Sequence, residues 1–289
     1  MKKEGGCMNN EVNAEMKEFW NGEGGKRWVG FQEKLDASLK PFGRATMETA
    51  TLSAGERVIE IGCGCGDNSI EMASRVGPEG RVHGIDISEP ILERARAQSA
   101  MKNNLSFECG DAQTHGFETS VFDIAFSRFG VMFFDDPATA FGNIRSTLKP
   151  DGRLAFTCWR TVKDNEWVHL PLGVVANHLP LPPPPGANEP GPFSFGDPER
   201  VKDILQKAGF IDIAIKKFNA PFKVGENLDD AVSFLTQLGP ANAAITEADP
   251  DETTRTRIAK DLRNALTPYD TGQGVVIDGA TWIVNARNS

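Results

Sequence analysis

No stretch of this chain approaches the roughly 20 consecutive apolar residues that a helix needs to cross a bilayer. The opening Met1-Lys2-Lys3-Glu4-Gly5-Gly6-Cys7 is followed by no apolar signal core. Both absences argue for a cytoplasmic protein with no integral membrane segment, with Met8 as an alternative start. Positive charge is also short, since 31 Lys and Arg stand against 40 Asp and Glu for a formal net charge of −9. Such a chain has no general attraction for polyanions, so no nucleic-acid partner is expected and a small molecule is the default ligand. The five cysteines are odd in number, and Cys63-x-Cys65 lacks a second ligand pair, so no metal is expected there. With only four histidines, candidates for a neutral-pH general base are few.

What is present is the composition of an ordinary globular protein, 289 residues long with 39% hydrophobic and 25% charged side chains, which suits one large domain carrying insertions. Its most informative run is Val58-Ile59-Glu60-Ile61-Gly62-Cys63-Gly64-Cys65-Gly66-Asp67. An apolar strand pattern ends there in three glycines at alternate positions, and a helix start, Asn68-Ser69-Ile70-Glu71, follows. Glycines at a strand-to-helix junction let backbone N–H groups approach a ligand, and open α/β sheets bind nucleotides at that place. Strand patterns over residues 57–61, 81–87, 105–108, 121–127 and 153–159 alternate with helical patterns over 67–75, 89–100 and 137–148. This alternation predicts a doubly wound, mostly parallel sheet covered on both faces. Pro78-Glu79-Gly80 and Lys149-Pro150-Asp151-Gly152 supply turns ahead of the second and fifth strands.

The flanks differ in character. Residues 1–45 read as an N-terminal helical cap segment that carries Trp20 and Trp28, and 46–289 as the main domain, with cap insertions at about 161–198 and 221–279. The first insertion reads as irregular, with Leu181-Pro182-Pro183-Pro184-Pro185-Gly186 forming a stiff polyproline II connector. Helical patterns over 197–208, 228–238 and 251–266 and strands over 211–218 and 281–286 complete the chain.

The second strand ends Gly84-Ile85-Asp86-Ile87, about twenty residues beyond the last glycine, where a carboxylate receives the hydroxyls of a ribose. A nicotinamide dinucleotide fold would want a further glycine or alanine one place later than Gly66, and its place holds Asp67. The glycine loop, Asp86, Cys109-Gly110-Asp111-Ala112, Phe122-Asp123-Ile124-Ala125-Phe126-Ser127 and Leu148-Lys149-Pro150-Asp151-Gly152 together resemble the class I S-adenosylmethionine-dependent methyltransferases. Within that class the sequence is similar to the type 11/25 group, which includes the ubiquinone and menaquinone C-methyltransferases and many natural-product methyltransferases. The resemblance implies a Rossmann-like seven-stranded sheet with an antiparallel last strand and helical cap insertions. It also implies S-adenosylmethionine as cofactor. Residue by residue, Gly62, Cys63 and Gly64 would approach the cofactor's amino-acid and ribose portions, and Glu60 would orient its ammonium. Asp86 would hold the ribose, Ile87 and Gly110 would flank the adenine, Asp111 and Ala112 would hydrogen-bond it, and Ser127 would face the methionine end.

The resemblance implies methyl transfer to a small-molecule acceptor whose receiving atom, O, N or C, stays open. The catalytic candidates are His169, Arg128 and His115, with an ion-pair role the competing reading for Arg128. Trp20, Trp28, Phe129, Phe133, Trp159 and Asn165 are candidates for the acceptor pocket and its cap, against plain packing. Three rivals remain: a nucleic-acid methyltransferase, for which the chain carries no Asn-Pro-Pro-Tyr or Asp-Pro-Pro-Tyr run, a non-catalytic S-adenosylmethionine-binding regulator, and, third, a nicotinamide-dependent oxidoreductase. A homodimer is left open.

Overall fold

In the computed structural model, which describes residues 12–186 and 189–289, the apolar runs become seven strands and the segments between them helices. Met1 to Glu11, including Cys7 and the alternative start Met8, lie outside the described residues. The chain opens with α1 (Ala14–Asn21), α2 (Glu23–Gly30) and α3 (Gln32–Ala50). It then alternates through β1 (Arg57–Ile61), α4 (Asp67–Val76), β2 (Arg81–Asp86), α5 (Glu89–Ser99), β3 (Leu105–Cys109), β4 (Phe122–Arg128), α6 (Pro137–Thr147) and β5 (Leu148–Trp159). Next come α7 (Glu166–Ala176), α8 (Pro198–Lys207), β6 (Ile211–Gly225), α9 (Leu228–Gln237), α10 (Gly239–Ala248), α11 (Glu252–Leu266) and β7 (Val275–Arg287).

The strands form one sheet in the order β3-β2-β1-β4-β5-β7-β6. Pairings from β3 through β5 are parallel, and β7 runs antiparallel to both its neighbours. Alternate side chains leave the central strands on opposite faces. Val58, Ile124, Phe126 and Ala155 join Met47 of α3 and Met72, Ala73 and Val76 of α4 in one core. Ile59, Ile61, Ala125, Leu154 and Phe156 join Phe141 and Ile144 of α6 and Ile204 and Leu205 of α8 in the other. Most positions of the central strands are therefore apolar on both faces, with Glu60 among the exceptions, which is why these runs read as near-continuous hydrophobic stretches. A third, smaller core joins Val175 of α7 to Ala241, Ala244 and Ile245 of α10 and Ile258 of α11.

Five helices, α5, α6, α8, α9 and α11, start where a side-chain oxygen caps them. Asp136 accepts from the Thr139 N–H at 3.1 Å ahead of Pro137, Asn227 from Asp230 at 3.0 Å, and Asp251 from Thr254 at 2.8 Å.

Four features depart from expectation. The insertion read as irregular contains α7, which runs through Pro171. A further helix, α10, precedes α11. The predicted turn at Lys149–Gly152 is instead a bulged start of β5, which pairs from Leu148 onward with a register shift. Strands β6 and β7 run to Gly225 and from Val275, so the loop between them is shorter than the expected 221–279 insertion. Pro221 fits inside β6 because β6 is the edge strand, with hydrogen bonds needed on one side only.

Candidate cofactor and acceptor site

The parallel strands deliver their carboxyl ends to one edge of the sheet, and the candidate residues gather there. Gly62, Gly64 and Gly66 all take positive φ, +65°, +56° and +88°. At Gly62 this freedom is required twice over, because a Cβ there would also lie 2.7 Å from the Cα of Gly130, in the turn after β4. The loop is sewn to its neighbours: the Gly62 and Cys63 N–H groups donate to the Ile85 carbonyl at 2.8 and 3.1 Å. Ser127 Oγ donates to the Ile61 carbonyl at 2.7 Å and accepts from the Gly130 N–H at 3.2 Å.

Two acids at successive strand ends serve the loop differently. Asp86 takes the Gly64 N–H on Oδ2 at 2.9 Å and the Ser88 N–H on Oδ1 at 3.0 Å, so its carboxylate lies directly beneath the loop. Burial pushes its carboxyl up, and these backbone donors pull it back. Glu60 is fully buried and receives hydrogen bonds from Ser69 Oγ and from Asn68 Nδ2, the latter at 3.2 Å. Its carboxyl is pushed up to about 7 by burial, against the opposing effect of Ser69 and the Arg128 charge.

Beside the loop lies a cavity of about 420 Å³ walled by Ile87, Gly110, Asp111 and His115 from the sheet edge and by Val12 and Lys17 from the N-terminal segment. Asp111 turns Oδ1 to the Gln113 N–H at 2.9 Å. Ala112 is buried, and its carbonyl accepts from Asn143 Nδ2 at 2.9 Å. The loop's closeness to neighbouring backbone, the carboxylate beneath it and a cavity with an acid in its wall suit a nucleoside with an amino-acid arm. The Cys63 side chain packs, its sulfur lying against Gly84, and burial pushes its thiol up.

The other end of the edge is aromatic. Phe129, held at a φ of +64° that a bulky residue rarely adopts, stacks on Trp159 with centroids 4.3 Å apart. Phe42 meets both rings edge-on, and Trp167 and Phe222 also pack on Trp159, with centroids 5.0 and 5.8 Å from it. Trp20 contacts Phe133 and Trp28 edge-to-face at 5.4 and 5.8 Å. Trp28 sits over the glycine loop, its Nε1 3.6 Å from where a Cβ on Gly64 would stand.

Several candidates find other employment. Arg128 is buried and pairs with Asp36 at 3.1 Å and Asp67 at 3.6 Å, which is the ion-pair alternative. Asn165 is fully buried with its amide spent inside the protein: Oδ1 accepts from the Ala280 N–H and Trp167 Nε1, and Nδ2 donates to the Ala280 and Thr161 carbonyls. It anchors α7 to β7 and has no capacity left for an acceptor. His169 stands exposed on α7 and is not part of the cavity wall. His115 is in that wall, its Nε2 3.4 Å from Glu108. Among the described residues no group of three or more His, Cys, Asp or Glu is arranged to hold a metal, and no helix is long and apolar enough to cross a membrane. The structure adds Asn13, Gln113, Asn21 and Ser88 to the site edge. None has a local signature, since each is defined by contacts across the fold.

A sheet of this order, with a glycine loop after its first strand and acids ending the first two, is that of a class I S-adenosylmethionine-dependent methyltransferase. The chain belongs to the methyltransferase family whose model, described as "Methyltransferase domain", matches residues 52–209. It is 37% identical over 119 residues to aklanonic acid methyltransferase DauC of Streptomyces sp. (strain C5), covering 40% of this chain and 54% of that protein. It is 30% identical over 186 residues to nocamycin O-methyltransferase of Saccharothrix syringae, covering 61% of this chain and 66% of that protein. The matches thus span between about half and two thirds of those relatives' lengths. A solved structure of Haemonchus contortus phosphoethanolamine N-methyltransferase 2, in complex with phosphomonomethylethanolamine and S-adenosylhomocysteine, has a similar fold. Its TM-score is 0.52 at 18% identity, over 86% of this chain and 52% of that one.

Proposed function

We propose that this chain transfers a methyl group from S-adenosylmethionine to a small organic acceptor at the carboxyl edge of its sheet. The observation that carries the reading is the cavity bounded by Ile87, Gly110 and Asp111 beside a glycine loop whose Gly64 N–H rests on Asp86. When bound, the cofactor supplies a methyl group already activated on a sulfonium, so the protein's work is to align, dry and neutralise. Gly62 and Gly64 present backbone to the cofactor, Asp86 receives its ribose hydroxyls, and Asp111 receives its adenine amino group, with Ile87 against the ring. Glu60 acts from behind the loop, through Asn68 and Ser69. Phe129, Phe133, Trp159 and Trp20 exclude water from the transfer, and the helices flanking the sheet, α1 to α3, α7 and α9 to α11, form the cap that selects the acceptor. Because the methyl group arrives already activated, the reading accommodates an acceptor that needs no protein base, or one whose proton leaves to solvent.

The names of the two natural-product relatives support a small organic acceptor, and the net charge of −9 disfavours nucleic acid. Calorimetry tests the cofactor half. S-adenosylhomocysteine should bind and NAD should not, and Asp86→Ala should weaken binding by about 1.5–3 kcal/mol, roughly ten- to a hundredfold in Kd. Tight NAD binding without heat from S-adenosylhomocysteine would sink the reading. Release of S-adenosylhomocysteine in an acceptor screen tests turnover and separates an enzyme from a non-catalytic binder.

A further inference from the structure

Helix α1 is fastened at both ends across the cavity. At its carboxyl end Asn21 Nδ2 donates to the Ile87 carbonyl at 3.0 Å and Asn21 Oδ1 accepts from the Glu89 N–H at 3.1 Å. Beside it, Ser88 Oγ donates to the Trp20 carbonyl at 2.7 Å. At its amino end, among the described residues, Asn13 carries the fastening. Asn13, only 2% exposed and at a φ of +56°, exchanges a reciprocal pair with Asp135: its N–H donates to Oδ2 at 2.5 Å, and its Oδ1 accepts from the Asp135 N–H at 2.7 Å. Its Nδ2 then donates to Asp111 Oδ2 at 2.7 Å and to Gln113 Oε1 at 3.2 Å. The Gln113 oxygen is completed by the Asp136 N–H at 3.1 Å.

The composition of this clasp is restrictive. The side chain must donate to the Asp111 carboxylate and to the Gln113 oxygen while accepting from a backbone N–H, which an amide with two N–H donors does and an ionised Asp, a single-donor Ser or an Ala does not. The position also asks for a left-handed backbone, which Asn tolerates better than most residues. Asp111 is a wall of the cavity, whereas Asn13 is buried and absent from that wall. Asn13 therefore stands behind the carboxylate and takes one lone pair of Oδ2, as the Gln113 N–H takes one of Oδ1. A carboxylate offers about four acceptor positions, so Asp111 can still receive a donor from the cavity.

We infer that Asn13 is a positioning residue for the cofactor's adenine: it fixes the Asp111 carboxylate to receive the adenine amino group and latches α1 over the ring, so that cofactor exchange requires the latch to open. The inference rests on the function proposed above. It explains why Val12 and Lys17, on either side of the latch and remote in sequence from the sheet edge, complete a cavity whose other walls are strand ends.

The test compares wild type, Asn13→Ala and, as a control on an exposed part of the same helix, Glu15→Ala. Each is titrated with S-adenosylhomocysteine and with its inosine analogue, in which a carbonyl replaces the adenine amino group. Asn13→Ala should weaken S-adenosylhomocysteine about tenfold, chiefly through faster dissociation, as expected for one hydrogen-bond network to a charged group. It should also narrow the preference for the adenine ligand, which general loosening of the fold would not do, while Glu15→Ala matches wild type. Should Asn13→Ala fail to fold, hydrogen exchange on wild type decides: S-adenosylhomocysteine should slow exchange in residues 13–21 together with 111–115. Unchanged or tighter binding in Asn13→Ala, equal loss for both ligands, or α1 exchange indifferent to the ligand would each overturn the latch. Failure of wild type to bind S-adenosylhomocysteine at all would instead remove the cofactor reading beneath it.

Discussion

The two ends of the sheet edge are made of different materials. At the adenine end, a carboxylate backed by amides and backbone N–H groups faces open space. At the acceptor end, Phe42, Phe129, Trp159, Trp167 and Phe222 interlock ring on ring. The first is specified by hydrogen-bond geometry, which few residues can satisfy. The second is specified by volume and shape, which many combinations can satisfy. Its rings come from α3, the turn after β4, β5, α7 and β6, so under the proposed function acceptor choice could be altered one segment at a time while the cofactor end stays fixed.

The sharpest test of that separation is Trp159→Ala. Removing this ring from among four aromatic neighbours should destabilise the fold by about 3–5 kcal/mol in urea denaturation, the largest effect expected here. Affinity for S-adenosylhomocysteine in the folded variant should stay within about twofold of wild type, since no cofactor contact is removed. A folded Trp159→Ala that no longer binds cofactor would break the comparison. Gly62→Ala strikes the other end. A left-handed alanine whose Cβ meets the Gly130 backbone should lose about 2–4 kcal/mol, and here cofactor affinity should fall together with the melting temperature. Retained affinity would show that the loop adjusts and that its geometry is less restrictive than argued.

The smallest effect belongs to Glu60. Its folded carboxyl is raised to about 7 from an ordinary 4.5, so the folded state binds this proton more tightly than the unfolded chain. That contribution is fully present below 4.5 and is lost as pH rises through 7. Glu60→Gln, which mimics the protonated acid, should therefore gain on wild type as pH rises from 4.5 to 8, by on the order of a few degrees in melting temperature. Parallel pH curves for the two proteins would mean that Glu60 is not buried in its charged form.

The sheet core and the backbone layout of the candidate cofactor end were largely legible in the sequence because their signals are local: continuous apolar runs, glycines at a strand end, acids at fixed offsets. The predicted helix over 67–75 and the observed α4 differ by one residue, and the helices at 228–238 and 251–266 are equally close. Where the sequence misled, a non-local partner had decided. Helix α7 has no polar face to mark it and contains Pro171, and it exists because Trp167, Val168 and Val175 are covered by other elements. Strand β6 extends past Pro221 because β7 pairs with it there. Asn165 looked available to a ligand and is used up by Ala280, 115 residues away. Asn13 gave no signal, because its partners lie 98 and 122 residues along the chain.

The place of β7 in the sheet bears on how the molecule assembles. It lies between β5 and β6, pairs with both along most of its length, and follows β6 in the chain by 49 residues that form the helices α9 to α11. Until residues 275–287 arrive, β5 has an open edge and β6 has no partner. Both are templates for pairing with another molecule. Such long-range closure is slow, because the ordering of the intervening loop precedes any gain from the strand contacts. A nascent or truncated chain lacking β7 should therefore hold a formed cofactor half beside an unfinished margin, and its hazard should be aggregation through that margin rather than loss of the glycine loop.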